Sequence, residues 1–140
     1  MRSVLVSALR AVAAALVGAF FGFVGAMKSF APPTALAEHH AWTMWLPAVL
    51  GRAVGASELL CAAGLIVPIL WRRRQAAQRL AAWTLLANQG VAAAFHSAHG
   101  EFGALPQNAL LSALLLFVAL AGRPKPIGSD SPSLPRPPAA

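Results

Sequence analysis

Four apolar runs, at residues 4–26, 48–71, 76–95 and 103–121, leave this chain few ways to fold. Each is close to the ~20 residues that a helix rising about 1.5 Å per residue needs to cross a hydrocarbon core. A soluble domain of 140 residues has no interior large enough for a chain that is 58% apolar and only 11% charged. The runs are rich in Leu and Ala and do not alternate, which excludes barrel strands. The expectation is an all-α fold, a bundle of four transmembrane helices whose first partner is the lipid bilayer.

Breaks between the runs are chemically marked. Pro32, Pro33 and Pro47 bracket the first connection, Arg72, Arg73 and Arg74 the second, and residues 101–106 the third. Residues 1–122 therefore read as one four-helix membrane domain. The remainder, RPKPIGSDSPSLPRPPAA, is rich in Pro and Ser with almost no large apolar side chain, so residues 123–140 read as a disordered tail.

The formal charge of +7 does not point to nucleic acid, because the basic residues sit at the ends of apolar runs without a recognition motif. It sets orientation instead, since cytoplasmic loops of spanning proteins retain Lys and Arg. Nine of the eleven fall on one side if both termini share it; only Lys28 and Arg52 fall on the other. Both termini are expected in the cytoplasm, and the first and third connections outside. Arg2 and Arg10 ahead of an apolar run also resemble a signal peptide. Gly18, Gly22 and Gly25 look instead like a helix-packing face, so the first helix is expected to be retained.

Within GASELLCAAGL, Glu58 is the one charge in a run otherwise small and apolar. Ionised and alone at a helix centre it would cost about 2.5–3.5 kcal/mol. Gly51, Gly55, Glu58, Ala62 and Leu65 recur at the spacing of one helix face. GRAVG supplies a GxxxG pair that lets another helix approach, so this face should meet protein and Glu58 should point inward, roughly 12–15 Å below the outer boundary. At that depth the third helix offers Asn88 and Gln89, and Gln89, Ala92, His96 and His99 continue outward along one face. A polar seam is expected from Glu58 to the outer surface near His39, His40 and Glu101, with Lys28 and Asn108 closing its top. Such a seam carries protons or holds a quinone head group, or else Glu58 fixes helix register by bonding to Asn88 or Gln89. The long first connection should form a lid, with Trp42 and Trp45 in the headgroup zone and Thr34 capping a short interfacial helix.

Other chemistry is sparse. Cys61 stands alone, which excludes an internal disulfide and a cysteine metal cage. His96 and His99 are spaced to meet a metal with His39 or His40, but loop histidines at a membrane surface are usually just polar, and no metal site is assigned. P-loop, GxSxG, zincin and dinucleotide motifs are absent. No catalytic residue and no cofactor are therefore predicted, and a self-contained enzyme is not expected.

GAMKSF, with Gly25 and Lys28, followed by GASELLCAAGLIVP, with Gly55, Glu58, Gly64, Leu65 and Pro68, resembles the DoxX-like family of small four-helix membrane proteins. The resemblance implies a multi-pass protein of a bacterial cytoplasmic (inner) membrane whose biochemical role is often undefined. It implies two readings: a non-enzymatic binding or assembly partner, or the membrane subunit of a thiosulfate:quinone oxidoreductase-like complex with a soluble redox protein and a quinone. The lack of a redox cysteine pair favours the first. A transporter is disfavoured, since no helix is broken at mid-depth. The glycine faces leave self-association open.

Overall fold

Apolar run and helix coincide closely. In the computed structural model, which describes residues 1–71 and 75–121, helices α1 (Arg2–Phe30), α2 (Pro33–Glu38), α3 (Ala48–Leu70), α4 (Gln75–Ala98) and α5 (Leu105–Ala121) follow one another with no strand among the described residues. Short 3-10 turns at Trp42–Trp45 and Phe102–Ala104 complete the connections. The arginine loop at 72–74 and the tail expected to be disordered lie outside the described residues.

Three stretches, Val4–Phe30, Ala48–Leu70 and Phe102–Ala121, are long and apolar enough to cross a membrane. Helix α4 matches them in length at 24 residues but is more polar, carrying Gln75, Gln78, Asn88, Gln89 and His96. With the long apolar helices, the sequence points to an integral membrane protein.

Proline sets two of the helix boundaries. Pro32 drives Ala31 into extended backbone (φ −70°, ψ 153°), which ends α1. Pro33 then opens α2, where its missing N–H costs nothing. The expected Thr34 cap is not made: Pro32 occupies the cap position and Thr34 lies inside the helix.

Helices α1 and α3 approach most closely where both carry glycine. A Cβ on Gly25 would stand 2.9 Å from Gly55 O and from Leu59 N, and one on Gly55 would stand 2.7 Å from Ser29 N, so neither position has room for a side chain. Gly18 meets Ile66 in the same seam, whereas at Gly22 the nearest atom, Ala62 Cβ, would be 3.9 Å away. The buried face of α3 is Gly51, Gly55, Glu58, Ala62, Leu65 and Pro68. Gly51 differs from its expected role, for it faces Thr43 of the 3-10 turn rather than a helix.

Val17, Leu65, Leu85 and Leu115, one from each long helix, are fully buried in a common apolar core. Polar groups close the core at both ends. At the end where α1 begins and α5 finishes, Arg10 Nη2 donates to Gln78 Oε1 (2.6 Å), Arg10 Nε donates to Val118 O (3.2 Å), and Gln78 Nε2 donates to Leu65 O (2.7 Å). The opposite end, roofed by the segment from α2 to the 3-10 turn, is the lid end.

Candidate functional site

The spacing that puts Glu58 among small residues on α3 also aims it at α1 and α4. It is fully buried. Lys28, in the last turn of α1, donates from Nζ to Glu58 Oε1 at 2.6 Å, and Asn88 Nδ2 of α4 donates to the same oxygen at 2.6 Å. Three helices thus converge on one carboxylate oxygen, while Oε2 has no hydrogen-bond partner in the protein. The ammonium of Lys28 also lies 5.3 Å from the centre of the Trp42 ring, within cation–π range. Arg52 Nη1 donates to Lys28 O (3.1 Å), satisfying a carbonyl at the open end of α1.

Trp42, expected to face the headgroup zone, is instead turned into the protein, where it is buried and packed against Phe95 with ring centres 5.3 Å apart. The lid folds inward at this turn and uses Trp42 as its plug. Trp45 does remain exposed, stacked on His99 at 3.9 Å.

The seam divides into two parts. Lys28, Glu58 and Asn88 form the buried network. Gln89, His96 and Asn108 do not reach Glu58; all three are buried and line, with Lys28, a cavity of about 270 Å³ beneath the lid. His99 belongs to neither part. It is exposed, lies just past the last residue of α4, and is hydrogen-bonded through Nδ1 to Phe95 O (2.8 Å).

At the rim, His96 Nδ1 is 2.7 Å from Glu101 Oε2, and His40 Nδ1 is 3.5 Å from Glu101 Oε1. The hydrogen bond from His96, with a lesser one from His40, holds the Glu101 carboxyl below the usual carboxylate range. Two left-handed residues make this closure: Gly100 (φ 74°), where glycine is at ease, and His40 (φ 48°), where a side chain is strained. Among the described residues no group of three or more His, Cys, Asp or Glu side chains is placed to hold a metal ion. Cys61 is a free, half-buried thiol.

Sequence reasoning missed the Arg10–Gln78 bond and the plug role of Trp42. The first had a signal, an arginine two turns inside an apolar helix that would need an inward partner; the second had none, because an aromatic near a membrane boundary suits either place.

The sequence profile of the DoxX-like family matches residues 12–119, a stretch that holds the buried network, the cavity and the lid. No curated protein and no solved structure was found to match the chain.

Proposed function

The chain belongs to the DoxX-like family, and on that premise we propose a non-enzymatic, four-span membrane protein that serves as a binding or assembly partner through its lid end. The carrying observation is that Glu58, the one fully buried carboxylate among the described residues, is already engaged by Lys28 and Asn88. A carboxylate so held pins three helices in register. The lid end, with exposed His39, His40 and Trp45, is then the surface the bundle offers to others.

The fourth span in this reading is α4, turned inside out relative to a soluble helix. Its Gln78, Gln89 and His96 are buried, while Leu80, Trp83 and Val91 are exposed, and Thr84 Oγ1 satisfies itself on Leu80 O (3.0 Å). Such a face suits lipid. Counting Lys and Arg then places both termini and the tail in the cytoplasm and the lid outside. The family resemblance adds the bacterial cytoplasmic membrane as the setting. Gly18, Gly25 and Gly55 are occupied within the bundle, so self-association would use another face, such as that around Gly90, which has no neighbour within 4 Å.

Two measurements test this. In a Cys61→Ala background, Ala37→Cys should react with an impermeant maleimide in intact cells and Ala76→Cys only after permeabilisation; the reverse pattern refutes the orientation. Mild-detergent purification should recover the same partner proteins with wild type and Gly22→Ala but lose them with Trp45→Ser/His99→Ser. An unchanged partner set refutes the lid as the binding surface.

A second reading, the membrane subunit of a quinone-linked redox complex with a soluble redox partner, draws on the aromatic walls of the cavity beside His96. Glu58 would not touch such a head group, since it does not line that cavity. Bound quinone in the absorption spectrum supports this reading; none, with electron transfer unaltered by His96→Ala, removes it.

A further inference from the structure

We propose that the cavity beneath the lid binds a neutral amphiphile whose head group is a hydroxyl, phenolic or alcoholic, with its apolar body against the aromatic wall. Three side chains that line the cavity, each more than nine-tenths buried, carry a buried polar atom with no partner in the protein: Trp42 Nε1, Asn108 Nδ2 and Gln89 Oε1. Buried polar groups are nearly always paired, so three orphans lining one cavity point to a ligand that pairs them. Their chemistry is specific: two donors and one acceptor.

A hydroxyl suits this set because it can both accept, as from the indole or the Asn108 amide, and donate, as to Gln89 Oε1. A carbonyl head group accepts but cannot donate, and leaves Gln89 Oε1 unpaired. A carboxylate would set its charge against the Gln89 oxygen. Nor does the cavity call for a charged ligand, since Lys28 is neutralised by Glu58 and His96 is taken up by Glu101. Phe21, Val24, Leu36 and Leu111 supply an apolar part of the lining, as small-molecule sites generally have. At about 270 Å³ the space would hold roughly nine water volumes or one ring with a short chain. The lining reaches the surface at exposed His39, His40 and Gln107 on the rim and at exposed Phe23 on the flank. An amphiphile dissolved in the bilayer interface meets both. The proposal is independent of whether a protein docks on the lid.

The test is isothermal titration of the full chain in lipid nanodiscs, corrected for empty discs, with 4-hexylphenol, 4-hexylanisole and hexylbenzene. The anisole keeps the body and the acceptor oxygen and loses only the O–H. Wild type should bind the phenol about tenfold more tightly than the anisole, the value of about one hydrogen bond, and hexylbenzene more weakly still. Gln89→Leu should bring the phenol down to the anisole, and Ala92→Phe, which fills the cavity from a buried lining position, should abolish both. Equal affinity for phenol and anisole in wild type overturns the proposal, as does phenol binding that survives Ala92→Phe in folded protein, or tighter binding of 4-hexylbenzoate. The wild-type comparison needs no variant, so it decides the matter even where a substitution prevents folding.

Discussion

Removing either member of the Lys28–Glu58 pair should cost far more than removing both. Both side chains are at most 5% exposed and 2.6 Å apart, so a lone substitution strands a buried charge without its partner. Breaking a buried pair from one side typically costs about 3–5 kcal/mol, whereas replacing both with apolar groups of similar volume is often neutral or better. Glu58→Leu should therefore cost about 3–5 kcal/mol for stranded Lys28. It should lose roughly 1 kcal/mol more because Asn88 Nδ2 loses its acceptor. Lys28→Met should cost about as much as the first of these terms. The double variant keeps only the Asn88 loss, so about 1 kcal/mol should separate it from wild type. The two single-site costs together then exceed the cost of the double variant by about 6 kcal/mol or more, which is the coupling between the sites. Reversible unfolding in mixed micelles titrated with dodecyl sulfate, followed by circular dichroism, measures all four corners of the cycle. Additive single-site costs, or a double variant as unstable as Glu58→Leu, would refute the account of this pair as the pin between α1 and α3.

Gly55→Ala should destabilise by about 1–3 kcal/mol because its Cβ would meet Ser29 N and Lys28 Cβ within 2.8 Å, while Gly22→Ala, with ordinary contact at 3.9 Å, should change stability by less than about 0.5 kcal/mol. The same titration reads both, and equal effects would contradict the close approach. Arg10→Leu should cost about 1.5–3 kcal/mol by taking a charged donor from Gln78 Oε1 and Val118 O, and a silent substitution would show that the terminal-end cluster carries no stability. Because the folded-state pKa of Glu101 is depressed, its contribution to the lid is fully present above the usual carboxylate range and is lost as pH falls through the depressed value. Protection of the lid amides against hydrogen exchange, measured relative to the intrinsic rate at each pH, should therefore fall on acidification below the usual carboxylate range, and Glu101→Gln should be poorly protected already at neutral pH; identical profiles for both would sink this.

The parts of this fold legible in the sequence are those fixed by helical geometry alone. Gly51, Gly55, Glu58, Ala62 and Leu65 share a face because their spacing leaves no alternative, and that face is the buried one. The same arithmetic failed for His99. At about 100° per residue it lies roughly 80° around the helix from Gln89, and it falls beyond the end of α4, where Trp45 rather than a helix is its neighbour. Asn88 and Gln89 could not be ranked from sequence, since adjacent residues point about 100° apart and only the tilt of α4 against α3 decides which amide reaches Glu58. Depth counted along each helix separately puts Lys28 at the top of the seam. The length of its stem, which lets the ammonium reach down to the carboxylate, is invisible to such counting.

The Lys28–Glu58 bond also has a consequence in time. Its partners are 30 residues apart in the chain and lie on successive long helices. During synthesis the first hydrophobic segment emerges with an ammonium near its end and no counter-ion until the next segment has followed it. Neutralisation arrives with the hairpin, so the two segments are best released into lipid together, and the order of biogenesis is written into one ion pair.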